Sequence, residues 1–256
     1  MEQTHDLDWL SGIVRRLLAP GGCPWDREQT LESLRSFLLE ETCEVIDAID
    51  EGDRGHHREE LGDLLFQIVF QAELAGHPLS EVIRAIGEKL IRRHPHVFGD
   101  TEVSSTEEVR LNWEQIKDRE RGAARGALSG VPRAMPALPR ALLLSQRAAR
   151  VGFDWPDAAS VRDKVMEEID ELGAAASAGD RAAVEHELGD LLFAVVNWGR
   201  KLGQDPEQAL RRANGRFGER FGHVESELAR RGSSPAESSL DEMEALWQQA
   251  KRRPGS

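Results

Sequence analysis

The chain has 256 residues, a formal net charge of −13, 31% charged residues, two cysteines and no tyrosine. That acidic balance excludes a nucleic-acid polymer or an anionic membrane as the main partner, because both reward an excess of Lys and Arg. Cys23 and Cys43 form no CxxC pair, which excludes a disulfide framework and a zinc ribbon. No apolar run approaches the roughly 18 residues of a membrane span, and the stretch from Met1 to Asp6 lacks the basic and apolar regions of a signal peptide, so a soluble cytoplasmic protein is expected. Abundant Ala, Leu, Glu and Arg favour an all-α fold.

In chain order, Leu34, Leu38, Val45 and Ile49 share one face of a helix predicted over 31–50. A polar loop over 52–57, which includes His56 and His57 as solvated side chains, leads to a second helix whose apolar face carries Leu61, Leu64, Leu65, Ile68 and Ala72. Helices are predicted at 79–93 and 106–119, separated by His94-Pro95-His96, where proline breaks helical spacing and argues against a metal site. Residues 119–139, crowded with Gly, Ala, Arg and Pro, form the expected linker. Further helices are expected at 161–176, 182–202, 206–230 and 240–252, with a short loop near 178–180.

An internal repeat organises these elements. Residues 60–66 and 187–193 are the same seven letters, Glu-Leu-Gly-Asp-Leu-Leu-Phe, 127 positions apart. At that offset Glu40, Glu41 and Glu44 fall on Glu167, Glu168 and Glu171, and His96-Val97 on His223-Val224. Trp113 and Lys117 are echoed by Trp247 and Lys251 at an offset of 134, with the extra residues placed in the polar stretch 231–239. The expected architecture is two tandem four-helix-bundle-like modules, 1–118 and 140–256, joined by the 119–139 linker.

Helical spacing puts Glu41 and Glu44 on one face, about 5–6 Å apart at Cβ, and does the same for Glu60 and Asp63. Both pairs flank the apolar arcs of their helices, so packing the arcs together gathers four carboxylates. Such a cluster repels itself and loses hydration unless a cation balances it. The donors are all hard oxygens, with no His or Cys at ligand spacing, which selects Mg²⁺, for which Mn²⁺ can substitute, over Zn²⁺. Magnesium commonly joins one or two carboxylates to substrate phosphates, so a substrate with a phosphate chain is the natural expectation, with the ion making an attacking water more acidic and a spare carboxylate accepting its proton.

These residues resemble the MazG family of all-α nucleoside triphosphate pyrophosphohydrolases. The carrying pattern is Glu40-Glu41-x-x-Glu44 with Glu60-x-x-Asp63, repeated as Glu167-Glu168-x-x-Glu171 with Glu187-x-x-Asp190. Gly22-Cys23-Pro24-Trp25-Asp26 and Val151-Gly152-Phe153-Asp154-Trp155 precede the two modules and extend the resemblance over nearly the whole chain. The resemblance implies cleavage between the α and β phosphates to a monophosphate and pyrophosphate, broad base tolerance, and a homodimer in which two chains complete each site. It implies metal ligation by Glu41, Glu44, Glu60 and Asp63 in one half and by Glu168, Glu171, Glu187 and Asp190 in the other. Glu40 and Glu167 become candidates for positioning water or a second ion, alongside Glu41 and Glu168 in catalysis.

Lys89 and Arg93 correspond to Arg216 and Arg220 and are candidate phosphate contacts. Trp113 with Lys117, and Trp247 with Lys251, pair a possible base-stacking ring with a cation one turn away, although Trp247 also continues the apolar spacing of Leu240 and Met243 and so equally suits core packing. The copies differ: Glu59 becomes His186 and Phe37 becomes Lys164, another candidate phosphate contact. The resemblance implies reliance on one module, commonly the second. A Nudix hydrolase is disfavoured because Glu60 stands where its signature needs an apolar residue, a P-loop enzyme because no GxxxxGK[ST] occurs, and a di-iron bundle because Glu-x-x-His is absent from the acidic helices. The alternative from another class is a regulatory dimer that binds nucleotide without turning it over.

Overall fold

The structure, a computed structural model, describes residues 5–121 and 126–252, and no strand occurs among them. The chain divides into two compact units, Met1–Ala123 and Ala124–Ser256. In the first, the helices are α1 (Leu7–Leu18), α2 (Pro24–Glu28), α3 (Leu34–Glu51), α4 (Arg54–Leu74), α5 (Leu79–Arg93), α6 (Pro95–Phe98) and α7 (Thr106–Arg121). In the second they are α8 (Ala137–Arg150), α9 (Ala158–Ala178), α10 (Arg181–Lys201), α11 (Pro206–Arg230) and α12 (Leu240–Lys251), with a 3-10 turn at Pro235–Glu237.

Each unit is built on a helical hairpin. Leu34, not Leu31, opens α3, because Thr30 and Ser33 exchange side-chain-to-backbone hydrogen bonds that close a turn just before it. Gly52 ends the helix with φ of 73°, a left-handed conformation that only glycine adopts without strain, and its N–H caps Ala48 and Ile49 carbonyls. Asp53 then accepts from the Gly55 and His56 N–H groups and starts α4 at once. The loop expected over 52–57 is therefore shorter, and His56 and His57 lie in a helix rather than a solvated loop. The second unit repeats the device: Gly179 at φ of 71° ends α9, and Asp180 accepts from Ala182 and Ala183 to start α10.

In the first unit α3 and α1 both pack on α4. Val14, Leu34, Val69, Phe70, Ala72 and Leu79 form the core, and Arg15 forks onto Glu73 at 2.9 and 3.0 Å to pin α1 against α4. In the second, α9 packs on α10, α8 touches α10 and α11, and Val224, Leu228 and Leu246 join α11 to α12. The predicted apolar arcs are only partly buried. Leu34 and Ala72 are buried, Leu38, Val45 and Leu64 half-buried, but Ile49, Leu61, Leu65 and Ile68 are exposed. A two-helix contact covers one stripe of each helix, and these residues lie off that stripe.

Helices α1, α2 and α8 fall where no helix was expected, and α6 begins at Pro95, which suits the first helical position because it needs no N–H there. Helix α7 runs to Arg121 and α8 starts at Ala137, so both enter the 119–139 stretch, of which residues 122–125 lie outside the described residues. The Gly22 turn after α1 is the most constrained: a Cβ there would stand 2.2 Å from the Leu17 carbonyl oxygen. Gly22→Ala is expected to destabilise the first unit by about 1–3 kcal/mol, seen as a lower thermal unfolding midpoint in circular dichroism.

Candidate active site

The hairpins place the acidic side chains. In the first unit Glu41 from α3 and Glu60 and Asp63 from α4 each present an oxygen within 4.8 Å of the others. Glu60 is only 9% exposed, and His56, one turn before it, reaches its Oε1 at 3.1 Å. Glu41 has its carboxyl pushed above the usual range, first by burial and then by the charges of Asp63, Glu44, Glu60 and Glu40. Glu44 and Glu40 are exposed and lie outside the three-residue group.

In the second unit Glu168 and Glu171 from α9 converge with Glu187 from α10, again with one oxygen each inside 4.8 Å. Glu168 is 4% exposed. Its Oε1 is held by Lys164 Nζ at 2.8 Å, while its Oε2 is buried without a hydrogen-bond partner among the described residues. Lys164 also meets Glu167 at 2.6 Å, and the two carboxylates hold its ammonium above the usual lysine range. The Glu171 carboxyl is raised by desolvation and by Glu168, Glu167 and Glu187, with Lys164 pulling the other way. Asp190 sits in a second group with Glu187 and His186. A histidine therefore does stand at ligand distance, contrary to the sequence-based expectation of oxygen donors alone; the i,i+4 spacing of His186 and Asp190 was the signal for it.

A buried carboxylate oxygen with no donor costs free energy on the order of 1–3 kcal/mol. Hard oxygens gathered around that orphan fit a divalent cation such as Mg²⁺. Both hairpins thus offer a cation-shaped set of donors, the second with a lysine beside it where the first has Phe37 packed edge-on against Trp25 at 5.5 Å.

The remaining candidates cluster near α5 and α7, or α11 and α12. Lys117 Nζ lies 4.2 Å from the Trp113 ring centre and the Arg93 guanidinium 5.9 Å. Arg93 is at the same time clasped by Glu120, Nη2 to Oε2 at 2.6 Å, and Arg92 reaches the other oxygen at 3.0 Å. In the second unit Arg220 lies 5.9 Å over Trp247, and its Nε is buried without a partner among the described residues. Trp247 packs on the Val224, Leu228 and Leu246 core and also lines a cavity of about 260 Å³ with Phe217, Phe221, Leu240 and Met243. Phe217 and Phe221 stack nearly parallel at 6.1 Å, a pair absent from the expected site although their i,i+4 spacing beside Arg220 is visible in the sequence. Lys89 is half-buried on α5, whereas Arg216 and Lys251 are exposed.

Ahead of α9, Asp154 binds Arg200 at Nη1 and Nη2 and Lys201 Nζ at 2.7 Å, fastening the Val151–Trp155 segment to the end of α10.

Comparison with known proteins matches the MazG nucleotide pyrophosphohydrolase domain to residues 29–98 and the phosphoribosyl-ATP pyrophosphohydrolase family to residues 143–216. Both descriptions belong to one class, and the class here is an all-helical pyrophosphohydrolase. At full length the chain is 47% identical to the nucleoside triphosphate pyrophosphohydrolase of Escherichia coli K12, over 97% of this chain and 98% of that one. It is 42% identical to the nucleoside triphosphate pyrophosphohydrolase/pyrophosphatase MazG of Thermotoga maritima, over 94% of each chain. The chain belongs to the MazG family of nucleoside triphosphate pyrophosphohydrolases.

The Asp154 carboxyl is lowered from 3.8 to about 2, first by the Arg200 hydrogen bonds. A depressed carboxyl stabilises the fold fully above its unfolded value and loses that contribution as pH falls through the folded one. Acid unfolding followed by circular dichroism is therefore expected to show a loss of stability between pH 3.8 and about 2 that Asp154→Asn removes, with the variant less stable at neutral pH.

Proposed function

We propose that the protein hydrolyses nucleoside triphosphates at the α–β phosphoanhydride, with broad base tolerance, giving a nucleoside monophosphate and pyrophosphate as part of cytoplasmic nucleotide-pool housekeeping. The observation that carries this reading is the orphaned, buried oxygen of Glu168 inside a cluster of hard donors, in a family whose relatives are named for this activity. In the second unit Glu168, Glu171, Glu187 and Asp190 would hold Mg²⁺, and in the first Glu41, Glu44, Glu60 and Asp63. When bound, the ion supplies charge neutralisation and polarisation of the phosphate chain.

The chain's own groups do the rest. Lys164, one turn from Glu168, approaches a phosphate oxygen as a point charge. Arg220 and Arg216 meet the outer phosphates, and the base enters the aromatic cavity of Phe217, Phe221 and Trp247, where any base can stack. Glu167, outside the cluster and ion-paired with Lys164, would accept the proton of the attacking water. Arg93, the counterpart of Arg220, is already engaged by Glu120, which favours the second unit as the principal site. A homodimer is supported by the bare apolar residues on the acidic hairpins, Leu61, Leu65 and Ile68 on α4 and Leu188, Leu192 and Val195 on α10. No helix among the described residues is long and apolar enough to cross a membrane.

Incubation of the pure chain with Mg²⁺ and each ribo- and deoxyribonucleoside triphosphate is expected to yield monophosphate and pyrophosphate, abolished by chelation. Diphosphate and phosphate would place the cut at another bond, and binding without product would favour a regulatory nucleotide-binding protein. Glu168→Gln is expected to lower turnover about a hundredfold or more while leaving the helical circular-dichroism spectrum intact.

A further inference from the structure

The aromatic cavity formed by α11 and α12 is apolar except at one point. Among the described residues that line it, Glu244 is the one that carries a charge. It stands on α12 three residues before Trp247, so helical spacing sets its carboxylate and the indole on one side of the helix. Gln248, one turn further on, donates from Nε2 to Glu244 Oε1 at 2.6 Å and so fixes the carboxylate. A carboxylate offers about four lone-pair sites, so that bond leaves room for two more donors side by side. The Arg220 guanidinium lies 5.9 Å over the Trp247 ring, which gives the cavity a negative group on its lining and a positive one against one of its rings. The phosphates of an entering nucleotide are drawn to the arginine and repelled by the carboxylate, and this leaves the base facing Glu244. At the offset that relates Trp113 to Trp247, Glu244 falls on Arg110 and Gln248 on Glu114, so the carboxylate is a feature of the second copy.

We propose that Glu244 is the base-selecting residue of the second unit and that its carboxylate favours guanine. Guanine presents two neighbouring N–H donors on one edge, at N1 and at the 2-amino group, and a single carboxylate can accept both in parallel. Adenine and cytosine offer an amino group beside a ring nitrogen whose lone pair would face the carboxylate, and uracil offers one N–H between two carbonyl oxygens. Hypoxanthine has the shape of guanine without the 2-amino group. Stacking on Phe217, Phe221 and Trp247 admits every base, and the carboxylate sets their order. The inference rests on the reading that the base enters this cavity and adds to it which edge of the base is read.

The test compares GTP with ITP, which differ only in the 2-amino group, on the full chain with Mg²⁺. The kcat/KM for GTP is expected to exceed that for ITP about tenfold, mostly through KM, and Glu244→Gln is expected to bring the ratio close to one. Calorimetric affinities for the α,β-methylene analogues of the two nucleotides, which cannot be cut at that bond, read the same contact without turnover. Equal values for the guanine and hypoxanthine nucleotides in the unaltered chain, or a preference that survives in Glu244→Gln, overturn the role of Glu244 and leave the hydrolysis standing. Absence of hydrolysis overturns the pyrophosphohydrolase reading alone, because the analogue affinities still decide the base contact. Glu244 is exposed, so the variant is expected to fold, and an unchanged circular-dichroism melt checks this.

Discussion

Glu168 is driven into the α9/α10 contact by the same helical spacing that buries Val161 and Val165 beside it. A carboxylate in that position is held by a single lysine on one oxygen and, among the described residues, by nothing on the other, with Glu171 and Glu187 adding charge of the same sign. Burial, with repulsion of this kind added to it, raises a carboxyl's affinity for protons, as at Glu171 and at Glu41 in the other unit. The apolar packing of the hairpin keeps the groups together, and the arrangement stores an attraction for positive charge. Core packing and chemistry are thus set by the same two helices.

The two units resolve this tension differently. In the first, His56 reaches the buried Glu60 and Glu120 occupies Arg92 and Arg93, so charges meet within the unit. In the second, Lys164 covers half of Glu168 while Arg220 keeps an unpartnered Nε against Trp247. The arginine beside the tryptophan is thus clasped by a carboxylate in the first copy, while its counterpart in the second keeps a buried Nε without a partner among the described residues.

Much of this was legible in the sequence. The repeat located both hairpins, and strong periodicity with clear termini fixed the bounds of the helices at Leu79–Arg93 and Pro206–Arg230. Other features depended on the tertiary setting. The α1 and α8 helices have amphipathic stripes but share no residue-for-residue match of the kind that marks the acidic hairpins, and the exposure of Leu61, Leu65 and Ile68 reflects which stripe a neighbour covers, something periodicity alone does not state. The proximity of His186 to Asp190 has a local signal, their i,i+4 spacing on one helix. The clasp of Glu120 on Arg93 joins residues from separate helices and has no local signal.

The turns between the paired helices carry a further meaning. Gly52-Asp53 and Gly179-Asp180 each reverse the chain in two residues, one ending a helix and the other starting the next. A turn that short leaves no slack, so it works as a ruler that phases the two acidic pairs against each other. A single inserted residue would rotate one helix by about 100° relative to the other and carry its carboxylates out of reach. The duplicated halves differ in their tails, where the second copy is longer, yet this joint has one length in both, so the same phasing of acidic pairs is built twice.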